Sequence, residues 1–196
     1  DKDAVKQAVA GVSKIYHLAA MVPLTRAGRA FHDVNVGGTS NVVDAARRLG
    51  SEHLVHLSSS AIFGIPTEIP IMEDTLLEPL GLYGQSKYEG EMVVRSAIEA
   101  GMHAAIIRPR TIIGLGRLGI FQILFDMIAN GRAITILGSG DRDFQLISNR
   151  DLATAMIAAS DRSATGLFNA GTGKFSTMRD DLNELAISVG SKSRVR

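Results

Sequence analysis

The chain has 196 residues, 45% hydrophobic and 21% charged, enough apolar material in one domain-sized chain to offset its conformational entropy, which excludes intrinsic disorder. Lys and Arg outnumber Asp and Glu by only 21 to 20, so there is no broad positive field to hold nucleic acid or an anionic membrane, and any anion must be bound locally. The absence of cysteine removes disulfides and thiolate metal sites and suggests a cytoplasmic protein, and no uncharged apolar run reaches the ~18 residues of a membrane span.

Val5, Ala8 and Val9 recur at helical spacing, and Ser13 to Leu18 follows as a β-rich run. From Phe31 to Leu49 the apolar positions Val34, Val42, Val43, Ala46 and Leu49 predict one long helix, closed by Gly50 and followed by a strand at Leu54–Leu57. Residues 83–100 repeat the helical pattern through Tyr88, Met92, Val93, Ala97 and Ile98, and His103–Arg108 reads as a buried strand. Further helices are expected near Ile120–Asn130, Asp151–Ser160 and Thr177–Val189. Helices alternating with short apolar strands imply an α/β fold, a doubly wound parallel sheet, whose ligands sit beyond the carboxyl ends of the strands. The segments after Leu18, Leu57 and Arg108 are therefore the ones to examine for chemistry.

After Leu57 comes Ser58-Ser59-Ser60, hydroxyls at a strand end that serve either chemistry or turn capping. Tyr83 and Lys87, four apart at the start of a helix, project from one face. An ammonium beside a phenol favours the phenolate, which makes such a pair suited to proton transfer. Gly114, Gly116 and Gly119 spell G-x-G-x-x-G, but the preceding strand is expected to end near Pro109, so a flexible loop is the preferred reading over a dinucleotide fingerprint. Gly171-Thr172-Gly173-Lys174 is no P-loop, because Phe175 stands where a hydroxyl must hold magnesium. His53 and His56, three apart in a strand, face opposite sides, and no metal site is expected. Arg108, Arg110 and Arg117 are candidates for a substrate diphosphate, with surface ion pairs the equal alternative.

Ser59, followed 24 residues later by the Tyr-x-x-x-Lys of Tyr83 and Lys87, resembles the extended short-chain dehydrogenase/reductase family in its epimerase/dehydratase branch. Other segments agree in order. Tyr16-His17-Leu18-Ala19-Ala20 is similar to the H-x-A-A segment along the nicotinamide dinucleotide, and Asn35-Val36-Gly37-Gly38-Thr39 to the N-x-x-G-T motif, whose Asn ties the central strands together. Arg108-Pro109 with Ile112-Ile113-Gly114 resembles the loop at the nicotinamide. Gly138-Ser139-Gly140, Phe144-Gln145-Leu146 and Asp151-Leu152-Ala153 resemble the segment that enters and leaves the substrate subdomain, and Phe168-Asn169-Ala170-Gly171 a later N-x-G turn.

The resemblance implies a Rossmann-type, NAD(P)-binding domain over residues 1–196, with a small substrate subdomain from about 113–147 and 171–196. It implies Tyr83, Lys87 and Ser59 as catalytic residues. Cofactor contacts would come from Leu18, Ala19, Ala20, Asn35, Ser58, Tyr83, Lys87, Pro109 and Ile112, and substrate contacts from Ser60, Arg110, Arg142 and Gln145. NAD is the expected cofactor, NADP being open, and a nucleotide sugar the expected substrate. A homodimer is expected through the helix of Tyr88, Met92 and Val93. The Gly-rich strand-turn-helix that opens the family's fold has no counterpart here, so the resemblance implies an N-terminally incomplete domain that binds NAD(H) weakly by itself. A carbonyl or alcohol reductase on a non-sugar substrate, and a catalytically silent fragment or regulatory binder, remain as alternatives.

Overall fold

A computed structural model describes residues 1–23, 28–116, 121–136 and 138–196. Two compact units divide the chain: residues 1–110 with 151–170, and residues 111–150 with 171–196.

The first unit is built on a four-stranded parallel sheet. β1 (Lys14–His17), β2 (His53–Leu57), β3 (Ala104–Pro109) and β7 (Gly166–Ala170) lie in the order β1-β2-β3-β7, with Ile15 opposite Leu54, Leu54 opposite Ala104, and Ile106 opposite Leu167. Every residue of β3 is buried, as an interior parallel strand covered on both faces requires. β1 alternates exposed and buried positions and forms one edge of the sheet among the described residues. On one face, Leu54, Ala104 and Ile106 pack against Val42 and Val43 of α3 (Thr39–Leu49) and Val94 and Ala97 of α4 (Gly81–Glu99). On the other, His53 reaches the Ala164 carbonyl just beyond α6 (Asn149–Asp161) at 2.8 Å. This is a Rossmann-type sheet with flanking helices, as expected. The short helix α1 (Lys2–Val9) is capped by the Asp1 carboxylate, which accepts from the Asp3 and Ala4 amides.

Two expectations need correction. The single helix of Phe31–Leu49 is instead α2 (Ala30–His32), a π-helical segment (Asp33–Gly38) and α3, so the regular 3.6-residue spacing is interrupted between Val34 and Val42. Phe168-Asn169-Ala170 lies within β7, paired with Ile107 to Pro109, so that the expected turn begins only at Gly171. Hydrogen bonding along the sheet outweighs the weak turn signal of Asn and Gly there.

In the second unit, β4 (Thr111–Ile113) pairs in parallel with β6 (Leu146–Ser148), and β5 (Asp143–Phe144) antiparallel with β8 (Ser176–Thr177). α5 (Phe121–Ala129) and α7 (Met178–Ser188) share a core of Ile128, Ile134, Leu182 and Ala186. Phe121, Phe125, Phe144, Met178 and Leu185 line a small apolar cavity of about 130 Å³. Among the described residues, no helix is long and apolar enough to cross a membrane.

Candidate active site

α4 places Tyr83, Lys87 and Glu91 four residues apart, a stripe along one face. The face turns inward: Lys87 is only 5% exposed and Glu91 not at all. The Lys87 ammonium donates to the Leu57 carbonyl at 2.6 Å, at the carboxyl end of β2. Burial pushes its pKa down to about 8, against the upward pull of the Glu91 charge. Tyr83 is half-buried, its ring edge-on to Phe31 with centroids 6.0 Å apart.

Immediately after β2, Ser59 caps a 3₁₀ turn (Ser60–Phe63), its hydroxyl oxygen accepting from the Ala61 amide at 3.2 Å. That bond uses a lone pair and leaves the hydroxyl proton able to donate elsewhere. The start of α4 packs on this turn: a Cβ at Gly84 would stand 3.1 Å from the Ala61 carbonyl oxygen. Ser59, Tyr83 and Lys87 are thus carried by elements in direct contact at one end of the sheet. Ser60, half-buried, begins the same turn.

Asn35 does not tie central strands together. Its carboxamide accepts from the Met21 amide at 2.7 Å and donates to the Met21 carbonyl at 3.1 Å and to Ser86 Oγ at 2.9 Å. It therefore fastens the segment after β1 to α4, leaving Leu18 and Ala19 exposed and Ala20 half-buried between strand and fastening point. The two helical segments come close enough that a Cβ at Gly90 would lie 2.5 Å from the Asn35 carbonyl oxygen. Thr39 donates its hydroxyl to that same carbonyl at 2.7 Å, so the 3.0 Å contact between Thr39 Oγ1 and His17 Nε2 has the imidazole as donor. The His17 ring lies 5.3 Å from that of His56, its partner across β1 and β2. Burial first, then the Lys87 charge, lowers the His17 pKa to about 4 and drives His56 down in the same direction.

Sequence reasoning missed the buried network beneath this stripe. Arg108 donates to both Glu91 oxygens, at 3.1 and 2.7 Å, and to the Glu73 carbonyl at 2.8 Å, with its guanidinium over the Phe63 ring. Ser58 Oγ donates to Glu91 at 2.6 Å and Arg95 adds a further bond at 2.9 Å. Burial works to raise the Glu91 pKa, but the Arg108 and Ser58 hydrogen bonds and the arginine charges prevail and hold it below the usual carboxylate range. One expectation changes as a result. The Arg108 guanidinium, fully enclosed, is not a surface cation for a diphosphate; the Ser58 hydroxyl, for its part, donates to Glu91. The signal available in the sequence was a carboxylate four residues after Lys87, on the face of α4 that also carries Val94.

The NAD dependent epimerase/dehydratase family matches residues 1–171. This chain belongs to that family. An uncharacterized protein of Sinorhizobium fredii, y4nG, is 40% identical over 197 residues, covering all of this chain and 50% of its own length. UDP-glucose 4-epimerase of Mycolicibacterium smegmatis is 30% identical over 190 residues, 90% of this chain and 60% of its own. The solved structure of UDP-glucuronic acid 4-epimerase from Bacillus cereus in complex with NAD superimposes with a TM-score of 0.85 at 21% identity, over 97% of this chain and 65% of that one, a likeness of fold. The chain spans about half the length of the curated relatives it matches.

The remaining motifs of this epimerase/dehydratase family chain fall as follows. Pro109 is buried at the end of β3; Arg110 is half-buried, its pKa lowered by that burial, and its amide donates to the Ala170 carbonyl at 2.8 Å. Within the second unit, Ile112 lies in β4 opposite Ile147, Arg142 is exposed, and Gln145 gives its amide to the Thr172 carbonyl at 2.7 Å. β4 extends the strand text to Ile113, so Gly114 does follow a strand, contrary to the sequence reading. A Cβ on Gly114 would overlap the Asn149 side chain, which fills the space beside that turn. Arg117 and Gly119 lie outside the described residues. His53 and His56 point to opposite faces, to Ala164 and to His17.

Proposed function

We propose that this chain carries the catalytic centre of an NAD-dependent enzyme acting on a nucleotide sugar, with Tyr83 as the proton-transfer group. One observation carries the proposal: a lysine ammonium is buried one turn along α4 from Tyr83 and anchored to the carbonyl two residues before Ser59. Burying a cation is costly, and a perturbed lysine beside a phenol and a hydroxyl at a strand's carboxyl end is the arrangement that proton transfer needs.

Tyr83 takes the proton of a substrate hydroxyl, and Ser59 donates its own proton in a hydrogen bond to that oxygen as the oxygen becomes a carbonyl. Lys87 places a positive charge near the phenol oxygen as negative charge develops there. NAD, when bound, supplies the acceptor for the hydride that leaves the substrate carbon. The residues present fit the ribose and nicotinamide part of that cofactor: the Lys87 ammonium, the exposed Leu18 and Ala19 with half-buried Ala20 before the Met21 that Asn35 fastens, and Pro109 at the end of β3. Ser60 and Arg110 are the proposed substrate contacts on this unit. A homodimer through α4, using the half-buried Tyr88 and Met92, completes the reading; Val93 is already packed in the core.

The test is Tyr83→Phe, with the protein expressed from its full reading frame and assayed with NAD and a panel of UDP-sugars. Turnover should fall by ~10²-fold or more with an unchanged circular dichroism spectrum. A near-normal rate removes Tyr83 from the mechanism. Turnover of free ketones or alcohols with none of the sugars would favour the reductase, and absence of NAD binding by calorimetry the silent fragment.

A further inference from the structure

Glu91 is enclosed with no exposed surface, yet it carries a charge that must be balanced. Three elements meet on it. Ser58 comes from the end of β2, Arg108 from β3, and Arg95 from the next turn of α4 itself, at 2.6 to 3.1 Å. Arg108 reaches on to the Glu73 carbonyl, while the Glu73 carboxylate accepts the Asn169 amide of β7 at 2.8 Å. The carboxylate therefore fastens α4 to the carboxyl ends of β2 and β3, and Arg108 and Glu73 carry the network on to β7. Lys87 sits one turn away on the same face, bonded to the residue next to Ser58.

We propose that Glu91 is a positioning residue for Lys87: its buried hydrogen bonds lock the turn of α4 that carries the lysine against the strand ends. Its negative charge, one turn away on the same helix face, also favours the protonated ammonium. The inference rests on the role given to Lys87 under the proposed function. The groups facing Lys87 sort cleanly. His17 from β1 and His56 from β2 are held neutral by burial, so they add no positive charge against the ammonium, while Arg108 and Arg95 are already engaged by Glu91. Tyr83 lies a turn before Lys87, and Glu91 is the anion that raises the lysine's affinity for its proton.

The test is the titration of Lys87 in the 196-residue chain, followed by the carbon shift of its Cε and assigned by loss of the signal in Lys87→Met. In the native chain the midpoint should lie near 8. Glu91→Gln keeps the size and the acceptor for Ser58 but removes the charge, and the midpoint should fall by about one unit or more. Glu91→Asp, which keeps the charge, should restore most of that shift. A folded Gln variant that titrates with the native midpoint, or a folded Asp variant that titrates well below it, overturns the proposal. Because the readout is lysine ionisation and not turnover, an inactive enzyme or a dispensable Tyr83 would leave this result standing, and the two failures are distinguishable.

Discussion

The two units hold their polar side chains differently. In the first, Asn35, Ser58, Lys87, Glu91 and Arg108 are buried and joined by hydrogen bonds between residues far apart in sequence. In the second, the interior is apolar, with a phenylalanine-lined cavity, and polar groups such as Gln145 and Arg179 bond to carbonyls near the surface. A buried polar network is demanding because each member left without its partner bears the full cost of desolvation. The first unit is thus built to hold a few groups in one geometry, and the second is built to tolerate change.

The strongest way to break this contrast is Arg108→Ala. It leaves Glu91 enclosed without its bidentate partner and should lower stability by about 3 to 5 kcal/mol, read as a lower urea midpoint at an unchanged slope. A loss no larger than that of a surface substitution would mean that the network is not structural.

Acid should separate the units next. All five histidines lie in the first. Burial holds the folded pKa of His17 at about 4, below its ordinary 6.5, so between these values the unfolded chain binds a proton that the folded unit refuses. The stability present above pH 6.5 is lost as pH falls toward 4, by about 3 kcal/mol for His17, with His56 acting in the same direction. Amide protection factors should drop in β1 and β2 between pH 6.5 and 4.5 while those of α5 and α7 hold. An equal drop in both would remove the histidines as the cause.

The smallest effect belongs to the second unit. Gln145→Ala removes one hydrogen bond, to the Thr172 carbonyl, and should cost about 0.5 to 1.5 kcal/mol by the same urea measurement. A cost approaching that of Arg108→Ala would erase the contrast.

The legible part of the molecule was that governed by local pattern. The runs at Leu54–Leu57 and His103–Arg108, and the helices flanking them, follow from apolar spacing, and the Tyr83 and Lys87 pair from a single turn of helix. The Glu91 network was hidden because its partners, Ser58 and Arg108, lie 33 and 17 residues away, and nothing local separates an arginine about to be enclosed from one left in water. The strands β4, β5, β6 and β8 are two or three residues long, too short to show alternation. Asn35 stood out through its motif, but its partners, Met21 and Ser86, required the fold.

The π-helical segment around Asn35 has a consequence for how this stretch tolerates insertions and deletions. A π turn closes its hydrogen bonds over five residues where an α turn uses four, so Asp33–Gly38 carries a phase slip between α2 and α3. Phe31 before the slip, Asn35 within it, and Val42, Val43 and Ala46 after it all reach the interior with that slip in place. Deleting one residue would make the helix regular and rotate one half by about 100° relative to the other. Either Asn35 would leave Met21 and Ser86, or the valines would leave the sheet. The irregular turn thus sets a reading frame for the helix, and length changes here exchange local regularity for loss of one of its two inward faces.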